Sequence, residues 1–280
     1  MKSSRRDFLT LSGAGLLATS LPGTSSFANK FSVDYSNFIF DLGVASYTFR
    51  NFTLEETLSM TKRLGISRIT FKDFHLPLDA SDDLIASTLE KCDSEGITCY
   101  GAGVIYMRSQ DEVDNAFEYA RKAKLKIIIG VPEHELLSYT EKKVQDYDIK
   151  IAIHNHGPGD KRYPSAESAY TRIKNMDPRM GLCIDIGHTK RINRNPEQDL
   201  LDFFDRVFDI HIKDVTEASE KGSTCEIGRG VIDIPLFLKT VVESKYSGTL
   251  ALEYEKDARD PLAGAAESIG YVKGVLSNLK

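Results

Sequence analysis

Short apolar runs alternate with longer segments of helical period from residue 39 to the C-terminus. The apolar runs are "FIFDLGVASYTF", "SRITFK", "ITCYGAGVI", "LKIIIGV", "IKIAIHNH", "MGLCIDIGH", "FDIHIKDV" and "GTLALEYE". Each is followed by a segment that reads as an amphipathic helix. The first, "TLEETLSMTKRLG", has Thr53 as its N-cap and Gly65 as its stop. The runs lack clean two-residue alternation, as expected of strands covered on both faces. Eight strand–helix rounds in a chain of this length predict a single-domain α/β fold, the (β/α)8 TIM barrel. A doubly wound open sheet is the alternative, but such sheets more often carry a phosphate loop, and the chain has neither GxGxxG nor a Walker sequence. The longest break, "TEASEKGSTCEIGRGVI" at 216–232, separates the seventh strand from its helix.

Composition changes this picture only at the N-terminus. The chain has 280 residues, 41% hydrophobic and 28% charged, which suits a globular fold. Its first 28 residues read differently. Arg5 and Arg6 precede Phe8 and Leu9 and an apolar stretch, and Ser26 and Ala28 stand before a cleavage point at Asn29. This segment resembles a twin-arginine export signal. It implies an exported, periplasmic protein with its barrel domain at 29–280 and no membrane attachment once the signal is gone. Lys2, Arg5, Arg6 and Asp7 leave the rest of the chain at a net charge of −7. That acidity argues against a nucleic-acid partner. The four cysteines show no metal-binding spacing; Cys92 and Cys99 flank a turn, where a disulfide is conceivable but free thiols are the simpler reading.

Polar residues collect at the C-terminal ends of the last four strands, where barrels of this kind place their catalytic groups. Strand five ends in His154, Asn155 and His156. Strand six ends with Asp185 and His188, strand seven with His211, Lys213 and Asp214, and strand eight with Glu253 and Glu255. Residues two apart share a strand face. One His or carboxylate from each of four adjacent strands can converge on a cation, which nominates His154, Asp185, His211 and Glu253 as ligands of one divalent metal ion. The mixed donor set suits Mn, Co, Zn or Fe, and Mg among carboxylates. His156, His188, Lys213 and Glu253 are the local acid–base groups. Lys72 and Tyr47, at the ends of strands two and one, would line the opposite wall.

The motifs "CIDIGHT", "HIKD", "GRGVIDIP" and "YSGTLALEYE" give residues from about 39 to 279 a resemblance to the xylose-isomerase-like TIM barrels, the sugar phosphate isomerase/epimerase superfamily. The resemblance implies a single divalent metal, held by Glu, Asp, His and Glu from strands five to eight. Asp185, His211 and Glu253 match the last three. His188 matches a residue that often contacts substrate, and Arg229 a substrate-binding arginine; Glu255 would contribute to the same site. The departure is His154, which stands where the epimerases have a glutamate. The metal keeps a ligand, but one of two paired acid–base carboxylates is lost.

The resemblance implies proton abstraction next to a sugar carbonyl, and hence a metal-dependent sugar isomerase or epimerase with a small carbohydrate substrate. A lyase or hydratase on a keto-sugar or keto-glycoside is the alternative, because it needs one base and one acid. A sugar-binding protein on a decayed enzyme scaffold and an apurinic endonuclease are less well served, the latter by the acidic charge. A homo-oligomer is compatible with all of these.

Overall fold

The computed structural model describes residues 38–279; the expected signal segment at 1–28 lies outside them. The strands are β1 (Asp41–Ala45), β2 (Arg68–Phe71), β3 (Thr98–Met107), β4 (Ile127–Pro132), β5 (Lys150–His154), β6 (Met180–Asp185), β7 (Val207–Ile212), β8 (Asp214–Val215), β9 (Thr224–Cys225) and β10 (Thr249–Leu252). The helices are α1 (Leu54–Arg63), α2 (Asp82–Ser94), α3 (Gln110–Lys122), α4 (Leu137–Tyr147), α5 (Ala166–Ile173), α6 (Ile186–Arg191), α7 (Pro196–Asp202), α8 (Ile234–Glu243) and α9 (Pro261–Ser277).

Strands β1 to β7 and β10 form a closed parallel barrel in the order β1-β10-β7-β6-β5-β4-β3-β2. The expected TIM barrel is therefore the fold. The missing alternation has the cause inferred from sequence: every residue of β6 is buried, and β5 is buried beyond its first residue. One face looks into the barrel and the other under the helices. Isoleucines such as Ile128, Ile129, Ile151 and Ile153 are at most 1% exposed, each stabilising the fold by roughly 1.5–3 kcal/mol. Local signals agree with the tertiary fold. Thr53 caps α1 in a reciprocal box with Glu56, and Cys92 and Cys99 are free thiols. Among the described residues no helix is long and apolar enough to cross a membrane.

Two parts differ from expectation. The run "MGLCIDIGH" is strand only as far as Asp185; the chain then turns at once into α6, with the Asp185 carboxylate as its N-cap. The polar break after β7 holds the antiparallel β8–β9 hairpin and is folded around one carboxylate. Asp214 Oδ1 accepts from the backbone N–H groups of Val215 (2.8 Å) and Ile232 (3.2 Å), and Oδ2 from Gly228 and Gly230 (3.0 Å each). Residue 230 must be glycine for this approach, since a Cβ there would lie 2.2 Å from Asp214 Oδ1. The "GRG" motif thus serves a buried anchor.

Asp214→Ala strands those donors in a buried loop and is expected to cost about 2–4 kcal/mol of stability, read from the urea midpoint. Arg229→Ala, in the same loop, is expected to stay within about 0.5 kcal/mol of wild type. A loss below about 1 kcal/mol for Asp214→Ala would contradict the anchor.

Candidate active site

The register of the barrel brings the last strands' ends level. Asp185 on β6 pairs directly with His211 on β7, His154 on β5 with Cys183 on β6. Glu253, just beyond β10, donates its backbone N–H to Ile212 O. Ligand atoms of His154, Asp185, His211 and Glu253 lie within 4.8 Å of one another, all four side chains being buried. His154 Nε2 is 3.2 Å from His211 Nδ1 and 3.5 Å from Asp185 Oδ2, while His211 Nδ1 is 3.4 Å from Glu253 Oε2.

Asp185 is held by neighbours that leave one of its oxygens facing the cluster. Asp185 Oδ1 accepts from His188 N at 2.8 Å, capping α6, and Oδ2 accepts no well-directed hydrogen bond. Asn155, between the two histidines of β5, clamps the backbone of Asp185: its Oδ1 accepts from Asp185 N (2.9 Å) and its Nδ2 donates to Asp185 O (3.3 Å). Beneath His211 lies Asp209, fully buried two residues earlier on the same strand face, with Oδ2 3.8 Å from His211 Nε2. Burial pushes the Asp209 carboxyl up to about 6, and Tyr100 donates to it at 3.2 Å.

The central charge is Lys213, 2% exposed. Its Nζ lies 2.8 Å from Asp185 Oδ2 and 2.6 Å from Glu253 Oε2, and it also bonds Glu255. Burial alone would neutralise the amine, but Asp185, Glu253 and Glu255 outweigh it and hold the ammonium well above its ordinary pKa. Reciprocally, burial would protonate Asp185 and Glu253, and Lys213 holds both well below the usual carboxylate range. The lysine stem runs against Gly187, where a Cβ would sit 2.4 Å from Lys213 Cγ.

Above this floor opens a cavity of about 250 Å³ lined by Tyr47, Lys72, Tyr106, His156, His188 and Glu255, with His154 and Glu253 at its base. Burial lowers His156 to about 2, aided by repulsion from His154 and His188; burial lowers His188 to about 4 against the pull of Asp185. His154 is also lowered by burial. These imidazoles are neutral near pH 7, with lone pairs available. The other two histidines do structural work: His75 pairs with Thr57 and His134 with Arg162 O.

The structure brings His154, Asp185, His211, Glu253, His156, His188, Lys213, Lys72, Tyr47 and Glu255 together. It does not bring Arg229. That side chain is 60% exposed and pairs with Glu267 on α9 at 2.7 Å, because the loop's backbone is turned inward onto Asp214. Sequence reasoning missed Tyr106, whose hydroxyl is 3.0 Å from His156 Nε2. The expected third strand stopped one residue short of it.

Comparison with known proteins fits this geometry. The chain matches the xylose isomerase-like TIM barrel over residues 53–275. It belongs to that family. An uncharacterised protein from Parabacteroides distasonis is 28% identical, with a TM-score of 0.66 over 84% of this chain and 98% of that one. An L-ribulose 3-epimerase is 13% identical, with a TM-score of 0.70 over 86% of this chain and 95% of its own. The 3-keto-D-glucoside 4-epimerase of E. coli is also 13% identical, with a TM-score of 0.67 over 84% and 99%. These last two likenesses are of fold. No curated protein sequence matches the chain.

Removing the central cation tests the electrostatics. Lys213→Met leaves Asp185 and Glu253 buried without their ammonium, and is expected to cost about 3–5 kcal/mol of stability in protein treated with chelator. Urea unfolding at pH 7 measures it; a cost under about 1 kcal/mol would show that the lysine does not balance the carboxylates.

Proposed function

We propose that this family member is a divalent-metal-dependent sugar isomerase or epimerase that takes a proton from the carbon beside a carbonyl. The observation that carries the reading is the cluster of His154, Asp185, His211 and Glu253, one side chain from each of four adjacent strands at the floor of a small polar pocket. The donor set fits a cation. Asp185 Oδ2 lacks a well-directed hydrogen bond, and two buried ring nitrogens face each other at 3.2 Å. Two imidazoles and two carboxylates suit Mn²⁺, Co²⁺, Fe²⁺ or Zn²⁺. When bound, such an ion would polarise the substrate's carbonyl and hydroxyl oxygens and stabilise the charge that develops there.

The chain's own groups supply the rest. Glu253 reaches both the cluster and the pocket and is ionised at neutral pH, so it takes the proton. A proton returned by the same carboxylate to the neighbouring carbon, with a proton shifted between the two oxygens, gives isomerisation. One that reaches the same carbon from solvent on the other wall, relayed along His188 and His156, gives inversion. Lys213 keeps Glu253 ionised and bonds Glu255. Lys72 donates to Val104 O, leaving its remaining donors for a substrate oxygen. The cavity lies below the roughly 300–1,000 Å³ of sites for drug-sized ligands, which suits one sugar ring. The names of the L-ribulose and keto-glucoside epimerases among the fold's neighbours agree with this substrate class.

A second reading, elimination from a keto-sugar or keto-glycoside, is favoured by the histidine at the end of β5. The site has one carboxylate base and several imidazoles, the complement that elimination needs. On either reading residues 1–28 act as a twin-arginine-type signal and the reaction takes place outside the cytoplasm.

Solvent deuterium uptake at carbon, followed by NMR across keto-sugars and keto-glycosides, tests the proposal. Exchange with the carbon skeleton kept indicates isomerase or epimerase, and release of a substituent indicates elimination. Glu253→Gln is expected to slow exchange by about 10²–10⁴-fold. Absence of exchange with every member of the panel would contradict both readings.

A further inference from the structure

The mouth of the pocket carries an aromatic step that the chemistry at its floor does not use. Tyr47, in the turn after β1, lines the wall. The Arg50 guanidinium lies 4.8 Å from its ring centroid and is itself fixed by donating to Glu255 O at 2.8 Å. Phe74, in the β2–α2 loop, stands one ring away, with its centroid 6.2 Å from that of Tyr47. It is 45% exposed, so burial is not what positions it. It packs edge-to-face on His75 at 4.7 Å. His75 is in turn buried and held by Thr57 Oγ1 (2.9 Å) and Phe52 O (3.1 Å). A solvent-exposed phenyl ring is thus braced by a hydrogen-bonded imidazole beside an aromatic ring of the pocket wall.

The dimensions say what such a step can hold. The cavity has room for one sugar ring, and a group attached to that ring must leave through the mouth. Aromatic rings complement flat or apolar ring faces, those of a pyranose or an aryl group alike. We propose that Tyr47 and Phe74 form a second subsite and that the substrate is a glycoside whose reacting sugar bears the ketone. Its reacting sugar occupies the cavity, and the ring joined through the glycosidic oxygen lies on Phe74. This rests on the carbohydrate reading of the pocket given above.

Calorimetric titration of the protein with methyl β-D-glucopyranoside, phenyl β-D-glucopyranoside and cellobiose tests it, using wild type, Phe74→Ala and Phe74→Tyr. At least one of the two-ring probes is expected to bind about three- to tenfold more tightly than the methyl glycoside. Phe74→Ala should abolish that advantage with methyl glycoside binding unchanged, and Phe74→Tyr should keep it. An advantage for the phenyl glycoside alone marks an aryl group as occupant, and one for cellobiose alone a second sugar. Equal affinity for all three, or an advantage that survives Phe74→Ala, overturns the subsite and leaves the carbohydrate pocket standing. If none of the three binds, the subsite falls, and the carbohydrate pocket is judged separately by deuterium uptake with the keto-sugars and keto-glycosides.

Discussion

The site is built on a charge imbalance buried at the mouth of the barrel. Asp185, Glu253 and Glu255 gather around the single ammonium of Lys213, and carboxylates outnumber cations even with His211, which, against its burial, Cys183 and Glu253 hold well above its ordinary pKa. Such a surplus is costly away from water. The barrel can carry it because strand ends cannot move apart without breaking parallel ladders on both sides, and because each carboxylate is held by a specific partner. A divalent cation would offset that surplus, and His154 and His211 converge on the same point as imidazole donors for it.

The resemblance implies a glutamate at the end of β5, and on the proposed reading His154 in its place alters the chemistry more than the binding. An imidazole can still face the cluster, but it cannot act as a second carboxylate base. On that reading the proton-handling groups are unlike: a carboxylate on one wall and two uncharged imidazoles on the other, with Tyr106 hydrogen-bonded to His156. That asymmetry suits reactions whose forward and return protons follow different routes, and it extends to a rim of Tyr47 and Phe74 suited to a substrate larger than the cavity.

Much of this was legible in the sequence. Strands covered on both faces leave uninterrupted apolar runs, and a barrel puts its chemistry at their C-terminal ends, so His154, Asp185, His211 and Glu253 could be read off one strand at a time. What was not legible depends on contacts between distant segments. Arg229 looked like a ligand-binding residue because it matches a substrate-binding arginine of the resembled family, yet the glycines on either side bring the backbone onto Asp214 and turn the arginine outward. Helix α6 escaped notice because "IGHTKR" is too short for a helical period and continues an apolar strand. Asp209 sits two residues before His211 on the same face, but only the fold shows that it is buried beneath that ring. Lys213 read as an acid–base group; the structure shows one lysine held by three carboxylates.

The most direct test of the account is metal content per chain, by elemental analysis of protein purified without chelator, beside a His211→Ala control. The account predicts about one divalent ion per wild-type chain and none in the variant. Metal-free protein that takes up no added Mn²⁺, Co²⁺ or Zn²⁺ would contradict it, as would two or three ions bound with His211 absent.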